Sequence, residues 1–172
     1  MPKTQTPKET DTLKQVFVDQ LRDLYSAETQ ITKALPKMAK AATSPDLKKG
    51  FELHLKQTEG HVVRIKTICE ALGVAPTGKT CAATAGLVEE GQETIDEPAT
   101  PEMKDVMLIG AARRVEHYEI AAYTGTCDLA RVLELPDALK LLSETLSEEV
   151  ATDDILAKAN VPALATAHAS EE

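Results

Sequence analysis

Six ionisable side chains, Glu28, His54, Glu116, Glu119, Glu149 and Asp153, interrupt apolar stripes that run at helical spacing. Around the last two lie Leu135, Leu139, Leu142, Leu146, Val150 and Leu156. A helix turns by roughly 100° per residue, so both acids point into the arc that the leucines mark as buried. A buried carboxylate without a partner must find a cation, take up a proton or destabilise the fold. Several of them brought together would raise one another's pKa values unless positive charge sat between them. Hard carboxylate oxygens with one or two imidazoles suit iron or manganese, with zinc as a possible substitute, and two such ions would resolve the whole set.

The elements that must position these groups are long helices. The first pattern begins near Thr10 or Asp11, carries Leu13, Phe17, Leu21, Leu24, Ile31 and Leu35 on one face, and runs to about Ala42. Ser44-Pro45 supplies a cap followed by proline at the first helical position, opening a second helix that stops at Gly73. From Val74 to Pro98 the chain is broken by Pro76, Gly78, Gly86, Gly91 and Pro98, which reads as a crossover with a short helix around Leu87, Val88 and Ile95. Thr100-Pro101 opens a third long helix reaching about Leu133, and Pro136-Asp137 a fourth ending near Asn160, before Pro162. Two helical hairpins joined by one long connection predict an all-α, ferritin-like four-helix bundle over residues 11–160, with residues 1–10 and 161–172 disordered.

Face and height along the bundle agree. Glu28 shares an arc with Phe17, Leu24 and Ile31; His54, Thr58 and His61 share one with Phe51 and Ile65, with Gln57 at its edge; Glu116 and Glu119 fall among Ile109, Ala112, Tyr123 and Cys127. A turn near Thr43 sets Glu28 opposite residues 57–59, and a turn near Leu135 sets Glu116 and Glu119 opposite residues 151–154. The competing arrangement leaves each acid at the rim of its stripe, paired with Arg22, Arg113 or Arg114. Glu148 points away from the leucine stripe, and Tyr123 reads as a packed core tyrosine.

Composition narrows the function. A chain of 172 residues that is 42% hydrophobic can bury one core, and with two Phe, three Tyr and no Trp that core must be aliphatic, which favours helices. A net charge of -9 opposes binding to nucleic-acid backbone. Cys69, Cys81 and Cys127 have no CxxC spacing, so a reducing cytoplasm is expected. The polar residues from Met1 to Thr12 lack the apolar run of a signal peptide, and no segment approaches the roughly 18 apolar residues of a membrane span.

The stretches Asp23-Leu-Tyr-Ser-Ala-Glu28, Ala34-Leu-Pro-Lys-Met38, His54 with Gln57-Thr58 and Arg64, Val115-Glu-His-Tyr-Glu-Ile-Ala-Ala-Tyr123 and Thr145-Leu-Ser-Glu-Glu-Val-Ala-Thr-Asp153 resemble the ferritin-like family typified by the bacterial YciE and YciF stress proteins. The resemblance implies a homodimer with a dinuclear metal site and a stress-related role, and it marks Glu28, His54, Gln57, Glu116, Glu119, Glu149 and Asp153 as ligand positions. Relatives often carry Glu at the position of Gln57, leaving His61 as an alternative ligand, and no Glu-x-x-His pair occurs in this chain. Two functions are open. One is a di-iron or di-manganese protein handling peroxide or dioxygen; the other is a non-catalytic scaffold for dimerisation or partner binding.

Overall fold

The computed structural model describes residues 12–170, so the expectation for residues 1–10 lies outside it. Among the described residues there are five helices and no strand: α1 (Leu13–Ala41), α2 (Pro45–Ala71), α3 (Ala82–Asp96), α4 (Pro101–Val132) and α5 (Pro136–Ala169). The starts follow local chemistry. Thr12 and Gln15 form a reciprocal capping box, Ser44 and Thr100 accept from the backbone N–H groups of Leu47 and Met103, and proline opens α2, α4 and α5.

α1 with α2 and α4 with α5 form the two expected hairpins, and α3 lies across α1 and α4 within the connection. The two hairpins are locked at one end by buried Asp105 of α4. Its carboxylate accepts from the Thr43 and Ser44 backbone N–H groups at 2.7 Å each and from the Thr43 hydroxyl at 2.8 Å. Asp105 thus caps α2 from another helix and brings the starts of α2 and α4 to the same level, which obliges the connection to travel the length of the bundle.

α5 differs from expectation. It does not end near Asn160 but continues through Pro162 to Ala169, so most of the predicted tail is helical. Pro162 is exposed, while Leu156, Ala159 and Ala163 pack against the core and Ala167 is buried. The apolar stripe therefore continues past the proline, and its packing outweighs the one hydrogen bond that proline removes.

The core is in two parts. One holds Phe17, Leu21, Leu24, Ile65, Ile68 and Leu142; the other holds Ile31, Leu35, Leu47, Phe51, Leu108 and Leu156. Each of the four long helices contributes to both parts, and on each helix a buried polar residue stands between them: Glu28, His54 and His61, Glu116 and Glu119, and Glu149.

Replacing Asp105 with Ala strands two backbone donors and should lower unfolding free energy by about 2 kcal/mol, the scale of hydrogen bonds to a charged group. Urea unfolding of Asp105→Ala beside the native chain measures this loss.

Candidate metal centre

Spacing by whole helical turns keeps the polar groups on the apolar stripe of each helix, so packing of the two cores forces them together. Glu28, His61, Glu119 and Glu149 are fully buried, and His54 and Glu116 nearly so. Their atoms form two groups that share one carboxylate. His54, Glu116, Glu119 and Glu149 can each offer a ligand atom within 4.8 Å of the others, and so can Glu28, His61 and Glu149. In the first group His54 Nε2 lies 3.3 Å from Glu116 Oε1 and 3.7 Å from Glu149 Oε2. In the second, His61 Nδ1 lies 2.9 Å from Glu149 Oε1 and 3.3 Å from Glu28 Oε1.

These approaches lack hydrogen-bond alignment. Among the described residues, the buried side-chain nitrogens and oxygens without a hydrogen-bond partner are Glu28 Oε2, His54 Nε2, His61 Nδ1, Glu116 Oε2 and both carboxylate oxygens of Glu119 and Glu149. All belong to this layer. Orphaned buried polar atoms are costly, and the loss is recovered when a cation takes their lone pairs.

Each imidazole has its other nitrogen fixed from outside. His61 Nε2 is 2.7 Å from Glu148 Oε2, and Arg64 grips the same carboxylate through Nη1 at 2.6 Å and Nη2 at 3.0 Å. In the neutral ring, donation from Nε2 would leave the Nδ1 lone pair facing Glu28 and Glu149. His54 Nδ1 lies 3.3 Å from the Thr152 hydroxyl, leaving Nε2 to face Glu116 and Glu149. Outer partners of this kind set the tautomer and aim of a metal-binding histidine. The Tyr123 hydroxyl donates to Glu28 Oε1 at 2.5 Å and holds that carboxylate from one side.

Charge within the layer is unevenly held. Burial, reinforced by Glu28, Glu149 and Glu116, drives Glu119 well above the usual carboxylate range. Burial also raises Glu28, opposed by His61, and pushes Glu116 up to about 7 against the pull of His54. For the histidines burial disfavours charge, but the acids outweigh it: Glu116 and Glu149 lift His54 to about 9, and Glu149 and Glu28 lift His61 to about 10. Glu149 goes the other way, burial being outweighed by His61 and His54. Imidazolium ions and shared protons thus do the neutralising when no other cation is present. Four inward carboxylates facing two neutral imidazoles match the charge of two divalent ions, so the donor set fits a dinuclear centre.

The structure separates the residues singled out from sequence. Glu28, His54, Glu116, Glu119 and Glu149 converge. Asp153 does not join them: it accepts from Arg113 Nε at 2.8 Å, lies 3.3 Å from His117 Nε2, and is held below the usual range chiefly by Arg113. It sits one turn beyond Glu149 at the edge of the stripe, where an arginine of α4 reaches it first. Gln57 is half-buried and its side chain makes no hydrogen bond among the described residues, while His61 occupies the inward position. Two contributors were not apparent from the stripes. Glu148 backs His61, and the signal for it was Arg64, a cation beside His61 that needs an acid at the matching level of α5. Tyr123 looked like core filling because a hydroxyl buried beside a carboxylate leaves no mark in hydrophobic spacing.

Comparisons with known proteins agree with this geometry. Residues 12–169 match the family described as "Domain of unknown function (DUF892)". Protein YciF of Escherichia coli (strain K12) is 43% identical over 143 residues, covering 83% of this chain and 86% of that protein. The crystal structure of the E. coli stress protein YciF superimposes with a TM-score of 0.87 at 40% identity, covering 90% of this chain and 98% of that one. At the level of fold alone, a ferritin-like, diiron-carboxylate protein from Bacillus anthracis aligns with a TM-score of 0.69 at 16% identity, over 88% of this chain and 99% of its own. A dodecameric thioferritin from Bacteroides fragilis gives 0.70 at 16% identity, over 92% and 91%. Helix order, buried carboxylate layer and sequence together make this all-α, ferritin-like chain a member of the DUF892 family.

Proposed function

We propose that the chain holds two iron or manganese ions, with zinc as a substitute, and acts on peroxide or dioxygen in a bacterial stress response. The observation that carries this reading is the confinement of the orphaned buried polar atoms to one layer shared by four helices. Glu28 and His61 would hold one ion, and His54, Glu116 and Glu119 the other, with Glu149 common to both groups. When bound, such ions supply electrons for reducing a small oxidant. The protein's own residues do the rest. Glu119 has neither oxygen committed to a neighbour, so it can change its mode of ligation freely. The two apolar cores keep bulk water from either side of the layer. His61, Glu148 and Arg64 lead from the buried acids to a partly exposed carboxylate, a route by which protons displaced from the layer can leave. The stress role is supported by similarity to YciF, which is described as a stress protein.

A homodimer belongs to the same proposal. Leu53 and Val63 on α2, and Val150 and Ile155 on α5, are large apolar residues exposed on two neighbouring helices. A second copy covering them would account for that exposure. These exposed residues also fit the alternative, a non-catalytic dimerisation or partner-binding scaffold. Three unpaired thiols support a reducing, cytoplasmic location, and no helix among the described residues is long and apolar enough to cross a membrane.

Protein purified without chelators should carry about two transition-metal ions per chain by elemental analysis, the stoichiometry of a ferritin-type carboxylate centre. Iron-loaded protein should consume peroxide faster than the Glu28→Ala, Glu149→Ala double variant, and equal rates would defeat the catalytic reading. Glu148→Ala leaves every inward ligand in place but frees the His61 ring, so metal affinity measured by competition with a chelator should fall on the order of 10- to 100-fold. Asp153→Asn should keep the full metal content. Because Arg113 lowers the folded pKa of Asp153, the pair stabilises at neutral pH and its contribution fades as acid titrates the carboxylate. The melting curves of Asp153→Asn and native protein should therefore converge on acidification.

A further inference from the structure

Beside the centre lies a cavity of about 430 Å³ between α1, α3 and α4. Its walls are mostly apolar, including Leu35 and Met38 of α1, Leu87 and Ile95 of α3, and Ala112 of α4, and it also touches His54 and Glu116. Both of these residues are buried, and His54 Nε2 and Glu116 Oε2 are among the atoms without a hydrogen-bond partner. The exposed rim carries Lys33 and Lys37 with one acid, Glu89. Lys33 pairs with no acid among the described residues, and Lys37 donates to the neutral amide of Gln92 across the gap between α1 and α3.

Gly91 shows that the space is open by construction. It is buried in the middle of α3 and lines the cavity, yet a Cβ built on it would meet no atom within 4 Å. Close backbone packing therefore does not require glycine there. Glycine inside a helix is about 1 kcal/mol less favourable than alanine, so the position gives up helix stability and leaves room. Volume, apolar walls and a few convergent polar groups are the attributes of a small-molecule site.

We propose that this cavity binds a medium-chain aliphatic monocarboxylate beside the centre, its carboxylate at Lys33 and Lys37 and its hydrocarbon tail directed inward. The orientation follows from charge. An anionic head stays hydrated at the exposed rim and is attracted by the two lysines there, while the tail displaces water from apolar walls. This binding does not depend on the metal-centre reading above.

Titration of metal-free protein with decanoate and with decylammonium, followed by calorimetry, tests the proposal. Decanoate should bind, and decylammonium about tenfold or more weakly, given the rim charge. Gly91→Leu fills the space from α3 without removing a contact. It should melt higher than the native chain, keep its metal content and lose decanoate affinity by about tenfold or more. A Lys33→Gln, Lys37→Gln double variant should lose the preference for the anion. Unchanged decanoate affinity in Gly91→Leu, or equal binding of the two amphiphiles by the native chain, would overturn the proposal. Decanoate binding blocked by Gly91→Leu in a protein that takes up no metal would uphold the cavity and remove the centre. Metal uptake without decanoate binding would do the reverse.

Discussion

The architecture turns on one electrostatic constraint: four carboxylates and two imidazoles are held in a dry layer between two apolar cores. Neither core can pack without carrying the layer inward, because each long helix threads core, polar residue and core again. The hydrophobic effect thus assembles a site that Coulomb repulsion alone would scatter. Protonated histidines and acids relieve the repulsion in part, and metal ions would relieve it fully. The protein tolerates locally unfavourable chemistry because the packing on either side is extensive.

Much of this was legible in the sequence because the relevant signals are periodic. Helix starts were marked by Ser44-Pro45, Thr100-Pro101 and Pro136, and polar residues stood out against regular leucine stripes. Height from the turns placed Glu28 near the histidines of α2 and the α4 acids near α5. What was not legible depended on which partner reaches a side chain first. Asp153 lies on the same helix as Glu149, yet Arg113 captures it, and a stripe cannot rank two competing partners. Choosing between Gln57 and His61 similarly depended on which of them packing buries beside Glu28 and Glu149. The end of α5 was misplaced because Pro162 is a strong local breaker, while the packing of Ala163 and burial of Ala167 are tertiary facts.

The outer residues decide how well the inner ones perform. Glu148 and Arg64 hold one ring and Thr152 touches the other, so the two histidines present single, defined nitrogens to the acids. Glu28 is steadied by Tyr123 on one oxygen, whereas Glu119 has no such restraint. The layer therefore combines donors steadied from outside with a carboxylate, Glu119, that has neither a hydrogen bond nor a close histidine among the described residues.

Both ligand groups draw on both hairpins: one takes His54 from α2 with Glu116, Glu119 and Glu149 from α4 and α5, the other Glu28 and His61 from α1 and α2 with Glu149 from α5. Neither half of the chain carries a complete ligand group by itself. Were ions to occupy these groups as proposed, their uptake would act as a checkpoint on completed tertiary assembly, and a fluctuation that parts the hairpins would open both groups at once.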